Sequence, residues 1–222
     1  MKRKVLLAAC LTTMVTASGC GAESGDGAPT TSSVEDAGTN TGTGTPLHAG
    51  LRLVLPDTLG SGRYSRDVTV QPSTTTREAT QTLITAGVGN PVIVNGVYVQ
   101  AGNTSGALRI DGAYGALSDP AKARDALLQV LAASEHSTPV PNTARTILPS
   151  GATEPLVCQV VSVEDQRAGA TVTAPVCAWT DTSTTARVLR GGGNGDQTTG
   201  ARIDLDAYAA EVDRIRAEIR IG

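Results

Sequence analysis

One long polar stretch decides how much of this chain can fold. Between Gly21 and Pro46 the only large apolar residue is Val34, and most of the others are Gly, Thr, Ser, Ala or acidic residues. Such a segment cannot bury enough apolar surface to offset the entropy lost on ordering it. We therefore predict a flexible linker over residues 20–46 and one folded α+β domain over residues 47–222. Glycosylation of the Thr and Ser residues is an alternative role for the linker.

The residues before the linker have the layout of a secretory signal peptide. Three basic residues, Lys2 to Lys4, precede an apolar run from Val5 to Ala17. That run is shorter than the ~20 residues that a membrane-spanning helix needs. We therefore expect residues 1–19 to be cleaved rather than to remain as a membrane span.

The end of this leader, Ala17-Ser18-Gly19-Cys20, resembles the lipobox of bacterial lipoproteins, in which small residues lead directly into a cysteine. Ala17 stands where leucine is commonest in that family. The resemblance implies that the Cys20 sulfur is diacylated, and that cleavage before it leaves the domain tethered to the extracytoplasmic face of the cell membrane. Two acyl chains give stable anchoring, whereas one gives only marginal binding. An ordinary signal peptide, with Cys20 incidental, is the alternative.

Two further features resemble uncharacterised surface lipoproteins of high-GC Gram-positive bacteria. One is the strong preference for Arg over Lys, and the other is the run Cys177-Ala178-Trp179-Thr180-Asp181 followed by Ser183-Thr184. This resemblance implies a place in the cell envelope and no particular activity.

The implied lipidation leaves one pair of cysteines. If Cys10 leaves with the leader and Cys20 carries lipid, Cys158 and Cys177 remain in an oxidising compartment. The midpoint between them falls at Arg167-Ala168, inside a polar stretch. A hairpin turn centred there places the two cysteines opposite each other on neighbouring strands, so we predict a disulfide between them.

Trp179 follows Cys177 by two residues and therefore lies on the same strand face. We predict that its ring covers the sulfurs and has a structural role. A redox-active dithiol is the functional alternative for the cysteines, although their spacing is not C-x-x-C and no basic cluster lies beside either of them.

Local patterns predict the remaining strands. Asn95-Gly96 lies between two runs of β-branched residues and predicts a hairpin turn, because both residues accept the positive φ of a type I′ turn. Further strands are predicted over 51–55, 107–112, 156–163, 173–180 and 184–189, and loops over 137–151 and 191–200.

Two helices are predicted. Asp119-Pro120 begins the first, because Asp caps free N–H groups and Pro fits the first helical position, and this helix ends near Ser134. The second follows Asp204, with Arg216 and its other charged residues mainly off the apolar face. The apolar stripes are Ala123, Leu127 and Leu131, and then Leu205, Tyr208, Val212, Ile215 and Ile219. A coiled-coil seam is the alternative for the second stripe.

These elements predict an α+β fold in which two helices cover one face of a mainly antiparallel sheet, with one disulfide. Parallel alternation of strands and helices is the alternative architecture.

Composition argues against nucleic-acid binding. The chain has no Phe, one Trp and four Tyr, and its net charge is −3. Stacking on single-stranded nucleic acid needs clustered rings, and binding to phosphate backbones needs a basic surface.

The sequence also has no recognisable motif for catalysis, for cofactor binding or for metal binding. The only histidines, His48 and His136, have no metal-ligand spacing, and Gly102-Asn103-Thr104-Ser105-Gly106 is not the G-x-S-x-G of a hydrolase. The segment 195–202 lacks the Lys and Ser/Thr of a P-loop, and 192–196 is a single imperfect match to a calcium repeat. We therefore predict no cofactor, no metal and no catalytic residue.

The expected role is a non-catalytic domain that binds an envelope protein or a small ligand, or serves as a scaffold. The alternative is a small cell-envelope hydrolase that uses His136 with a serine.

Overall fold

The computed structural model describes residues 50–69, 76–100, 103–165, 170–191 and 203–222. All of them belong to one unit of the chain, Gly44–Gly222. The predicted leader and linker, and with them Cys20, lie outside the described residues. Within the described ranges, no helix is both long enough and apolar enough to cross a membrane.

The chain forms an α+β structure around one large antiparallel sheet. The strands are β1 (Arg52–Leu53), β2 (Thr58–Leu59), β3 (Tyr64–Asp67), β4 (Val88–Gln100), β5 (Asn103–Leu117), β6 (Ser137–Pro139), β7 (Arg145–Ile147), β8 (Leu156–Asp165), β9 (Ala170–Thr180), β10 (Thr184–Arg190) and β11 (Arg220–Ile221). The helices are α1 (Thr76–Thr85), α2 (Pro120–Glu135) and α3 (Leu205–Ile219). The sheet order is β2-β3-β4-β5-β10-β9-β8-β6, with β7 also on β8, while β1 and β11 form a separate pair. The prediction of a mainly antiparallel sheet is confirmed.

Helices lie on both faces of the sheet. Leu108 and Ile110 of β5 belong to the core cluster that contains the apolar stripe of α3, whereas Ala113 and Leu117 of the same strand pack with α1 and α2. Since alternate residues of a strand face opposite ways, α3 covers one face, and α1 and α2 cover the other. The prediction that two helices cover a single face is therefore wrong. The physical reason is that β10 is buried on both faces from Thr184–Leu189.

The hairpin formed by β8 and β9 has the predicted register. Cys158 is paired with Cys177, and Val163 with Val172. The two cysteines are joined by a disulfide and are fully buried. The predicted disulfide is thus confirmed, while the turn residues 166–169 lie outside the described residues.

Asn95 and Gly96 do not form the predicted turn. They lie inside β4, where they pair with Asp111 and Ile110 of β5. The β-branched runs on either side continue as one strand, and an added Cβ at Gly96 would lie 3.0 Å from Leu55 Cδ1, which is a tight contact. The connection between β4 and β5 falls instead at residues 101–102, which are not among the described residues.

The ends of α2 follow the predicted chemistry. Asp119 caps the helix by accepting a hydrogen bond from the Lys122 backbone N–H at 3.0 Å, and Pro120 is the first helical residue. The predicted apolar stripes of α2 and α3 are both buried. Helix α1 was not predicted; it buries Ala79 and Leu83, which are one helical turn apart.

Arg216 of α3, which was predicted to lie mainly off the apolar face, is buried. It is 3% exposed. Its Nη2 donates to the Glu154 carbonyl oxygen at 3.0 Å and to the Asp213 carboxylate. A buried arginine is tolerated here because these acceptors satisfy part of its charge.

The proline-rich segment 137–151 is only partly a loop. It contains β6 and β7, which both pair with β8. Pro139 ends β6, where a missing N–H removes no bond from the interior of the sheet. These short strands cover the outer edge of β8, so the expectation of a loop throughout is wrong.

Candidate binding groove

A groove of about 520 Å³ opens at the end of the sheet where β9 turns into β10. We call it the turn groove. Its lining residues are Pro120 and Arg124 of α2, Thr146 of β7, Glu154, Pro155 and Val157 around the start of β8, and Ala178 to Thr182 of β9 and the following turn. Four separate parts of the chain meet here, which sequence order alone does not reveal.

Asp181 holds the turn that frames this groove. Its Oδ1 accepts hydrogen bonds from the backbone N–H groups of Ser183 (2.7 Å) and Thr184 (2.8 Å), and both hydroxyls also donate to the carboxylate. Burial opposes ionisation, but the hydrogen bonds from Thr184 and Ser183 outweigh it and lower the pKa of the Asp181 carboxyl. Asp181 is therefore ionised at neutral pH and oriented by the turn.

Arg220 links the turn to the C-terminal end of α3. Its Nη1 donates to Asp181 Oδ2 at 3.1 Å and to Glu154 Oε2 at 2.5 Å. Burial lowers the pKa of Arg220, but the pairing with Glu154 and Asp181 outweighs burial and raises it. Because Arg216 Nη1 also lies 3.6 Å from Glu154 Oε2, the acidic groups of the groove wall are compensated by cations.

The run from Cys177 to Asp181 has a structural explanation. Trp179 is 1% exposed and lies in the same buried cluster as Cys158 and Cys177. Asp181 then organises the turn two residues later. This arrangement agrees with the structural role predicted for Trp179, and it shows why an acidic residue closely follows the tryptophan.

His136 lines neither of the two described grooves. It is an exposed cap at the end of α2, in the left-handed conformation with φ 51°, and its backbone N–H donates to the Ala132 carbonyl oxygen. The neighbouring Glu135 is engaged by Arg109 and Arg187. The structure therefore does not bring His136 together with an acid and a serine around either groove described here, and His48 lies outside the described residues.

A second, more open groove of about 320 Å³ runs between α1 and α2. Its lining residues are Gln81, Thr82, Thr85, Ala86, Lys122, Ala126 and Gln129. Lys122 is its one charged lining residue. The turn groove is larger and has more polar groups held in place by hydrogen bonds, so it is the stronger candidate for ligand binding.

Four charged residues that were not predicted as a group meet around the buried pair Asp111 and Arg187: Arg109, Asp111, Glu135 and Arg187. We call them the charged quartet. Arg187 Nη2 donates to Asp111 Oδ2 at 3.0 Å and to Glu135 Oε1, and Arg109 Nη1 lies 2.9 Å from Glu135 Oε1. Burial lowers the pKa of Arg187, but the two carboxylates outweigh burial and raise it. The quartet fastens the end of α2 to β5 and β10. The one indication of this group in the sequence is that Arg109, Asp111 and Arg187 lie inside two predicted strands.

The described part of the chain contains no group of three or more His, Cys, Asp or Glu side chains that could hold a metal ion.

Comparison with other proteins adds no assignment to this geometry. No protein-family model, no curated protein and no solved structure matches this chain. What the turn groove binds has to be inferred from its own residues.

Proposed function

We propose that this chain is a bacterial lipoprotein, anchored through lipid on Cys20 to the extracytoplasmic face of the cell membrane. Its domain binds an envelope protein or a small ligand at the turn groove and catalyses no reaction.

The closed disulfide is the observation that carries the proposed location. Cys158 and Cys177 are bonded and fully buried in the core, on opposed positions of one hairpin. Structural disulfides persist in oxidising compartments and are rare in the cytosol. This supports export of the domain, in keeping with the leader and the lipobox-like residues that end at Cys20.

The turn groove supports a binding role. Its frame is fixed by the hydrogen bonds of Asp181 and by the ion pairs of Arg220, so little conformational entropy would be lost when a ligand binds. The exposed residues Thr146 and Thr182 line it and offer hydroxyl groups to a ligand.

Mass spectrometry tests the anchor. The full-length chain is expressed in a bacterium with lipoprotein-processing enzymes, and the N-terminal peptide of the membrane fraction is analysed. We expect a peptide that begins at Cys20 and carries diacylglycerol on its sulfur. The variant Cys20→Ser serves as the control and should lack the lipid. An unmodified Cys20, or a leader still attached to a cytosolic product, contradicts the proposal.

Affinity capture tests the binding role. Envelope extracts are passed over the lipidated wild-type protein, over Thr182→Arg, and over Thr138→Arg. Thr138 is an equally exposed threonine on β6 that lines neither described groove. A protein or small molecule that binds at the turn groove is retained by the wild type and by Thr138→Arg, and is lost with Thr182→Arg. Equal recovery on a lipidated linker without the domain removes the proposed binding role.

A further inference from the structure

We draw no further inference here: the strongest candidate, the charged quartet under the C-terminal end of α2 with the Glu135 Oε2 atom buried and without a hydrogen-bond partner in the described structure, carries nothing because its four charges neutralise one another and neither described groove reaches it.

Discussion

At the scale of single residues, charge in this protein is used mainly to hold elements together. Asp181 organises a turn, Arg220 joins that turn to the end of α3, and Arg187 joins α2 to the sheet. Each of these side chains is less than one fifth exposed, so screening by solvent is limited. Their removal is expected to matter much more than the loss of exposed ion pairs.

Asp181→Asn should lower the free energy of unfolding by about 1–3 kcal/mol at pH 7, because the turn loses a charged acceptor and Arg220 loses a partner. The effect depends on pH. The pKa of the Asp181 carboxyl in the folded protein lies below the usual 3.8. The stability that comes from its ionisation is therefore fully present above pH 3.8. It is lost as the pH falls through the lower, folded pKa. Urea unfolding from pH 7 down to pH ~2 should show the gap between wild type and variant closing at the acid end.

Asp125→Asn is the matched control. Asp125 is 66% exposed and pairs with its sequence neighbour Arg124. The change should alter stability by about 0.5 kcal/mol or less. Equal losses in the two variants, or a gap that widens in acid for Asp181→Asn, would show that Asp181 does not organise the turn.

Arg187→Met should cost about 3–5 kcal/mol, because Asp111 and Glu135 stay buried after losing a shared guanidinium partner. Urea unfolding followed by Trp179 fluorescence measures the loss. Replacing all four members of the charged quartet together by apolar residues should recover part of it, since no unpaired charge is then left inside.

Arg145→Met provides the comparison for an exposed pair. Arg145 and Asp206 are 49% and 67% exposed, so this loss should stay under about 1 kcal/mol. If Arg187→Met were equally mild, the quartet would not be what fastens α2.

At the scale of elements, close packing between strands depends on residues without side chains. An added Cβ at Gly112 of β5 would lie 2.6 Å from Ala186 Cβ and 2.7 Å from Leu53 Cδ1. The side chain of Leu53 in β1 therefore packs against β5 at Gly112, where a larger residue would leave no room for it. Because β1 pairs with β11, this contact also holds the two ends of the domain together.

Gly112→Ala should destabilise the domain by about 1–3 kcal/mol through overpacking. Gly106→Ala, in the same strand, is the control, because the nearest atom to its added Cβ is Gln100 Oε1 at 3.5 Å. Thermal unfolding of the two variants should separate them clearly. Similar melting temperatures would mean that β1 does not pack closely on β5.

At the scale of the whole molecule, the disulfide fastens the β8–β9 hairpin within a core that has little aromatic content. Trp179 and Tyr98 are the largest fully buried side chains, and aliphatic residues make up most of the rest. The bond joins residues 19 positions apart and lies under the apolar stripe of α3. Reductant should therefore reach it chiefly when the domain opens.

Cys158→Ala/Cys177→Ala should lower the free energy of unfolding by roughly 3 kcal/mol, because the unfolded chain gains the freedom that the closed loop removes. Urea unfolding with and without reductant measures this. The wild type should fall toward the double variant when reductant is added, and the variant should not respond. Alkylation of the folded domain without reductant should label no more than trace thiol. Ready labelling of either cysteine would contradict a closed structural bond.

Much of the fold could be predicted because it rests on local chemistry. Asp119-Pro120 begins α2, and a turn centred midway between Cys158 and Cys177 predicts the register of β8 and β9. The predicted turn at Asn95-Gly96 was wrong because long-range pairing decides the conformation there. A dipeptide that favours a turn lies inside a strand, because pairing along the length of β5 outweighed its local preference.

The turn groove could not be predicted in the same way. Glu154, Asp181 and Arg220 are far apart in the sequence and meet only when β8, β9 and the end of α3 are assembled. The charged quartet is likewise built from two strands and a helix end. The predicted leader and the predicted lipidation of Cys20 depend on contiguous residues alone, and they stay predictions because these residues lie outside the described ranges.

The amino-acid sequence by itself determined the local elements: the N-terminal cap of α2, the apolar stripes of α2 and α3, and the pairing of the two cysteines across one hairpin. Only the tertiary structure decided that helices lie on both faces of the sheet, that Gly96 sits within a strand, and that Arg187 and Arg216 are buried. The physical reason is the distance along the chain over which each interaction acts. Capping and periodicity act over a few residues, whereas burial of β10 on both faces and compensation of buried charge depend on which distant segments pack together.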